Sequence, residues 1–461
     1  MNRMIYRYSL LALLVGLSAC ERKLDIDPEQ SIPSEQALST SQNIQSLLIG
    51  TYNQAGLDNL YGGFLQMLAD LYGFSGEASW VGTFTQPREV YNKRIRVDNS
   101  FVSGHWIDAY QAINATNLII DHLEVVDEAE RDRVEGEAKF LRALMYFDLV
   151  RTFGAPYVAG QSNNQLGVPL SLVGILDYDG DLAVPRNTVA EGYAQVLADL
   201  DDAYNLLPES NEYYADRYSA RALAARVYLQ QGNYEAARDA ANDVIQGSGR
   251  VLAPTYGEAF NNDANSVEDL FAFQVTNQSG TNELVVHYAS QDLGGRGGDI
   301  VVEPAYLDLF DSEMDDRSDF FYESSRGLLS SKYTNQFGNI ALIRLAEMYL
   351  IRAEGNARLG TAVGATPVDD INALRGRANA TLKASVTLDD VLLERQLELA
   401  FEGFWIHDIK RTQGTIVIVE SVGGEPTEVP IPYNDNRLTY PIPQREIDAN
   451  PLLEQNPGYG T

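Results

Sequence analysis

Apolar residues recur along this chain at three- and four-residue intervals, and stretches rich in glycine, proline and aromatic residues interrupt the stripe. The period predicts a first helix over 41–57, carrying Leu47, Leu48 and Tyr52, and then a glycine- and aromatic-rich loop over 61–86. A helical pair follows at 104–123 and 128–152, joined so closely that its members must run antiparallel. Phe140, Leu144 and Phe147 place one apolar stripe on the second member. Beyond a loop over 153–185, helices are expected at 188–207, 218–231 and 234–245.

The last two helices read as a tetratricopeptide-like hairpin. Ala224, Ala237 and Ala241 allow close helix approach, Gly232 makes the turn and Tyr234 fills the gap. Periodicity weakens over 254–338, where β-like runs stand at 270–275 and 284–288 and a glycine-rich loop at 294–298. Helices return at 340–359, 368–377 and 388–402, and the tail from Thr412 is proline-rich and short-stranded. The fold class expected is mainly α: tetratricopeptide-like helical pairs with an irregular, loop-rich subdomain, roughly 254–338, containing short β-strands.

Composition narrows the function. With 461 residues, 45% of them apolar, the chain is long enough for a sizeable core, and wholesale disorder is ruled out. Its 65 acidic and 34 basic residues leave a net charge of −31, which repels a phosphate backbone, so nucleic acid is not an expected partner. Only six of the cations are lysine, and arginine is the better residue for fixed pairing with carboxylates. Salt relieves the self-repulsion of so acidic a surface, which points to a saline setting.

The single cysteine, Cys20, excludes an internal disulfide framework, a thiolate zinc site and an iron–sulfur cluster. Position explains it. Arg3 and Arg7 precede an uncharged, leucine-rich run over 9–19, too short to span a bilayer but suited to an export signal. The run ends Leu17-Ser18-Ala19-Cys20, which resembles the lipobox of bacterial lipoproteins, where cleavage leaves a lipid-bearing cysteine first. A signal over 1–19, a lipidated tether over 20–33 and one domain over 34–461 are therefore expected, with acyl chains holding the protein to a membrane. Glutamate at position 21, in place of the aspartate that commonly retains lipoproteins at the inner membrane, points to the outer membrane.

Catalytic signatures are sparse. His105, His122, His287 and His407 show no metal spacing, and neither a GxSxG elbow nor a GxxxxGK[ST] loop occurs, so no cofactor is implied. The glycine-rich run 294–298 lacks a nucleotide fingerprint around it and is expected to be a flexible loop. Glu394, Glu398 and Glu402 lie four apart and so share one helix face. Paired carboxylates serve glycoside hydrolysis, but like charges at this spacing repel. Pairing with Arg344, Arg352 and Arg375 on the preceding helices is expected instead. Trp80 stands among small residues in the first loop, with Tyr72, Phe74 and Phe84 near it. Its face is then free to stack on a sugar ring, and packing under the loop is the competing use. Trp106, beside Ile107 and Tyr110, reads as core.

Several strings together resemble the SusD/RagB family of surface lipoproteins. His105-Trp106-Ile107-Asp108-Ala109-Tyr110 with Asn114-Ala115-Thr116-Asn117 is similar to the family's Trp, Tyr and Asn landmarks. Gly136-Glu137-Ala138-Lys139-Phe140-Leu141-Arg142-Ala143-Leu144-Met145-Tyr146-Phe147 with Phe153-Gly154 resembles its "E-A-x-F-L-R-A-x-x-Y-F … F-G" signature. Ile343-Arg344-Leu345-Ala346-Glu347, Glu394-Arg395-Gln396-Leu397-Glu398 and the ending Tyr440-Pro441-Ile442-Pro443 follow in the family order. Trp405 departs from it, standing where the family often has arginine.

The resemblance implies a non-catalytic, glycan-binding lipoprotein of the outer membrane, facing outward. Its partner would be a TonB-dependent, SusC-like barrel, on which it sits as a lid. Ligand-binding aromatics in the first loop and the irregular middle would here be Tyr72, Trp80 and Tyr288, with Arg296. A peptide-binding lipoprotein of the same architecture is the alternative, and a glycoside hydrolase a more remote one.

Overall fold

The computed structural model describes residues 38–176, 180, 182–277 and 280–460, so Cys20, the expected signal and the tether lie outside the described residues. The described chain begins with α1 (Ser41–Ala55), whose first turn is capped by Thr40: its Oγ1 accepts the Asn43 amide at 3.2 Å. Then come α2 (Phe64–Gly73), β1 (Ala78–Trp80) and α3 (Thr85–Tyr91). The next two helices form an antiparallel pair, α4 (Ser100–Asp121) and α5 (Glu128–Phe153).

Helix α5 opens on Glu128 and Glu130 and has Arg151 in its last turn, the charge order that the helix dipole favours. From Gly136 onward nearly every residue is buried, as a helix at the centre of a helical array requires. Arg142 is buried within it and pairs with Asp199 at 2.7 Å, on the next helix, α6 (Val189–Leu206). Helices α7 (Arg217–Gln230) and α8 (Tyr234–Gly247) complete the hairpin read from the sequence. Ala222, Ala225, Ala237, Ala240 and Ala241 are fully buried in it. Gly232 turns the chain in the left-handed region, at φ 71°, where a side chain would be strained.

An excursion separates α8 from the remaining helices. It contains β2 (Asp269–Phe273), α9 (Glu283–Tyr288), β3 (Ile300–Val302), α10 (Pro304–Leu307), β4 (Phe321–Ser324), β5 (Gly327–Ser330) and β6 (Ile340–Arg344). The array resumes with α11 (Leu345–Leu359), packed on α8, and continues through α12 (Pro367–Arg377) and α13 (Leu388–Glu398). Helix α14 (Trp405–Arg411), the hairpin of β7 (Thr415–Val422) and β8 (Glu425–Pro432), and α15 (Gln444–Ala449) close the described chain. From α4 to α8 each helix packs on its neighbour in sequence, the mainly α arrangement expected.

The strands tie distant segments together. A four-stranded sheet runs β1-β3-β5-β4, with Trp80 opposite Ile300. Strands β2 and β6 pair separately, with Asp269 opposite Arg344.

Four expectations need correction. The first loop contains α2, a short helix in which every residue from Gln66 to Gly73 is buried. The run 284–288 is helical: Asn282 accepts the Leu284 amide at 2.9 Å and starts a turn that its β-branched residues obscure. Residues 340–344 are strand, because Arg344 is drawn into pairing with β2, and α13 ends at Glu398, leaving Glu402 in the turn beyond.

Candidate functional site

Two loops distant in sequence meet above β1 and β3. Phe84 directly precedes α3, and its ring is 39% exposed. The Arg296 guanidinium lies over that ring, 3.6 Å from its centroid, a cation–π contact. Arg296 Nη2 donates to Thr83 Oγ1 at 3.0 Å, and its Nε lies 3.5 Å from Asp299 Oδ2.

Rigid groups hold this platform from beneath. His287 is buried, with ring centroids 6.0 Å from Phe84, 5.9 Å from Trp80 and 5.6 Å from Phe64. Phe101 stacks on Phe64 at 4.3 Å and meets Phe84 edge-on at 6.1 Å. His287 Nδ1 is 2.9 Å from Asp299 Oδ2, and Arg326 Nη1 donates to Asp299 Oδ1 at 3.0 Å. Burial pushes the Asp299 carboxyl up, but the His287 hydrogen bond, the Arg296 charge and the Arg326 hydrogen bond outweigh it and hold the group below the usual carboxylate range.

The glycine-rich run is an ordered cap, not a flexible loop. Arg296 N–H donates to Val286 O at 2.8 Å, Gly298 N–H to Ala289 O at 2.7 Å and Asp299 N–H to His287 O at 2.7 Å. These amides satisfy the last carbonyls of α9 and so are not left to cradle a phosphate. Gly295 passes so close to α9 that a Cβ there would sit 2.0 Å from Ala289 O. The cap fixes where Arg296 emerges.

The other sequence-predicted residues are placed differently. Trp80 ends β1 and is only 7% exposed; its ring supports His287 rather than facing outward, and its indole N–H is buried without a partner. Tyr72 is buried in α2, where its hydroxyl donates to Arg437 O and its ring packs 5.1 Å from Tyr440. Tyr288 is buried in α9 against Tyr333 and Phe401. Strand pairing and helix packing enclose all three rings, so of the four residues only Arg296 presents its side chain at the surface. In the sequence Phe84 stands out only as a neighbour of Trp80. Its position, a lone aromatic just ahead of a helix start, was the available signal.

The glutamate stack lies elsewhere and is sealed. Glu394 pairs with Arg317 at 2.6 Å and Arg375 at 3.0 Å; Glu398 with Arg344 at 3.2 Å and Arg377 at 2.5 Å; Glu402 with Arg344 at 2.7 Å and Lys332 at 2.6 Å. Arg352, expected among them, pairs with Asp370 at 2.6 Å. Burial pushes the Glu398 carboxyl up, but Arg377, Arg344 and Arg317 overcome it and bring it down to about 2. Among the described residues no three His, Cys, Asp or Glu converge to hold a metal ion. No helix among them is long and apolar enough to cross a membrane.

Comparison with known proteins fits this architecture. Residues 24–229 match a SusD-like family model described as starch-binding and associating with the outer membrane, and residues 323–459 match the SusD family model. The chain is 26% identical to SusD-like protein P2 of Formosa agariphila, over 98% of this chain and 99% of that protein. It is also 26% identical to the starch-binding protein SusD of Bacteroides thetaiotaomicron, over 75% of this chain and 76% of that one. A solved structure described as a putative sugar binding protein from Bacteroides vulgatus superposes with a TM-score of 0.80 at 28% identity, covering 92% of this chain and 99% of that one. A SusD superfamily protein from Bacteroides thetaiotaomicron gives 0.79 at 26% identity, covering 91% and 100%.

Proposed function

The chain belongs to the SusD/RagB family, and from that premise we propose that it binds glycans at the outer membrane and passes them to a TonB-dependent barrel, without catalysing a reaction. The observation that carries the binding role is the Phe84–Arg296 platform. The part-exposed ring and the guanidinium stacked over it offer a flat apolar surface to the C–H side of a sugar, and the guanidinium and Thr83 offer hydrogen bonds to hydroxyls. Aromatic support from beneath lowers the ordering cost of binding.

The anchoring expectation supplies the location. A lipid on Cys20 holds the chain at the outer membrane, facing outward, and the tether over 20–33 allows it to move on a barrel as a lid. The relatives named above as starch- or sugar-binding support carbohydrate as the ligand class. The sealed Glu394–Glu398–Glu402 cluster supports a binding rather than a hydrolytic role.

Calorimetric titration of the purified protein against a polysaccharide panel and a peptide panel tests the proposal. Binding to at least one glycan is expected. Tight peptide binding with no glycan bound overturns the carbohydrate reading.

A further inference from the structure

A second recess opens near the start of α9. It is a cleft of about 530 Å³ between the end of α1, the segment around Tyr213 and Tyr214, and strand β2. Tyr213 is 55% exposed on its rim, where Leu57 is exposed as well. Tyr52 packs on Tyr214 with centroids 4.9 Å apart and, like Phe271, lines the cleft. Asn53 and Asp58 bring an amide and a carboxylate to the same rim, and among the described residues of the lining there is no lysine, arginine or histidine.

The cleft and the platform share one short helix. Gly62, in the cleft wall, accepts the Glu283 amide at 3.0 Å at the start of α9. His287, one turn on and about 6 Å along the axis, supports Phe84. Between the two, burial and the Asp58 carboxylate push Glu283 up to about 7, while the Arg296 charge on the platform side opposes them.

We infer that this cleft is an extension subsite that takes the neutral sugar residues of a glycan whose other end stacks on Phe84 and Arg296. This rests on the carbohydrate reading proposed above. Its aromatic walls suit sugar C–H faces, and its amide and carboxylate suit hydroxyl groups. The charge is selective: with Asp58 on the rim and no cation among the described lining residues, the cleft disfavours a sulfated or uronic residue, which would leave its anion unpaired. The cationic platform has no such bias.

Neutral linear oligosaccharides of three and eight units, from the malto, laminari, xylo and manno series, test the inference by calorimetry on the wild type and the Tyr213→Ala variant. Because Tyr213 is exposed, its truncation leaves the fold intact, which an unchanged Tm verifies. In at least one series the eight-unit ligand should bind the wild type at least about tenfold more tightly than the three-unit ligand. Tyr213→Ala should remove most of that gain and leave the three-unit affinity unchanged. Binding without a length dependence, or a length dependence that Tyr213→Ala does not alter, overturns the subsite while leaving the platform standing. No binding of either length in any series overturns the subsite for neutral sugars; binding then confined to peptides overturns the carbohydrate reading itself.

Discussion

Arg296 stacks on Phe84 at 3.6 Å while its own backbone is tied to α9 by the bond from its amide to Val286 O. The contact therefore joins a ring presented by one loop to a cation whose position the glycine-rich cap sets. Planarity matters here, because a guanidinium lies flat on a ring and an ammonium does not. Arg296→Lys is expected to retain the fold and the charge yet weaken glycan binding about threefold to tenfold, as read by titration calorimetry.

Trp80 is predicted to act through stability. Its ring is enclosed between β1 and His287, so Trp80→Ala opens a cavity beneath the platform. Denaturant unfolding should show a loss of about 3–5 kcal/mol. A Trp80→Ala protein with wild-type stability and abolished binding would restore the tryptophan as a direct ligand contact.

Glu398 sets an acid limit. Its carboxyl lies at about 2 in the folded chain against 4.5 for the free group, so the unfolded chain binds the extra proton between those values. The stability it supplies is complete above about 4.5 and is lost as pH falls through that window. Glu398→Gln leaves Arg377 and Arg344 short of a counter-charge and should cost about 3–5 kcal/mol at neutral pH. Scanning calorimetry across acid pH should also show a shallower decline for the variant than for the wild type.

Asp70 works in the opposite direction. It is buried at the end of α2, where burial raises its carboxyl from 3.8 to about 8, against the bonds it accepts from the Gly403 amide at 2.9 Å and the Trp405 amide at 3.4 Å. Between those pH values the folded chain holds a proton that the unfolded chain has released, so this group's contribution falls as pH rises. Asp70→Asn keeps an acceptor oxygen and removes the titration. Relative to wild type, its Tm should rise by roughly several degrees between pH 5 and pH 8.

Helices whose periods, caps and small residues agree were legible in the sequence. The α7–α8 hairpin, with its buried alanines and Gly232 turn, lies within two residues of where the pattern placed it. Helix α2 was not legible, because it is short and the glycines at 62, 63, 73 and 76 that flank it read as loop. The arginine surplus was read correctly as fixed pairing, although which arginine meets which glutamate depends on β2 pairing with β6. The platform was half visible. Arg296 was named, but which of the neighbouring aromatics turn inward depends on contacts between segments distant in sequence: β1 with β3 for Trp80, and α2 with the residues around Tyr440 for Tyr72. No local pattern contains that information.

The most direct test of the platform is Phe84→Ala. The ring is part-exposed, and its removal should cost only about 1 kcal/mol of stability through the lost stacking with Arg296. Titration calorimetry with a glycan that the wild type binds should show affinity reduced at least about tenfold, with Tm changed by no more than a few degrees. Unchanged affinity in a folded Phe84→Ala protein would contradict the assignment of this surface as the glycan-binding site.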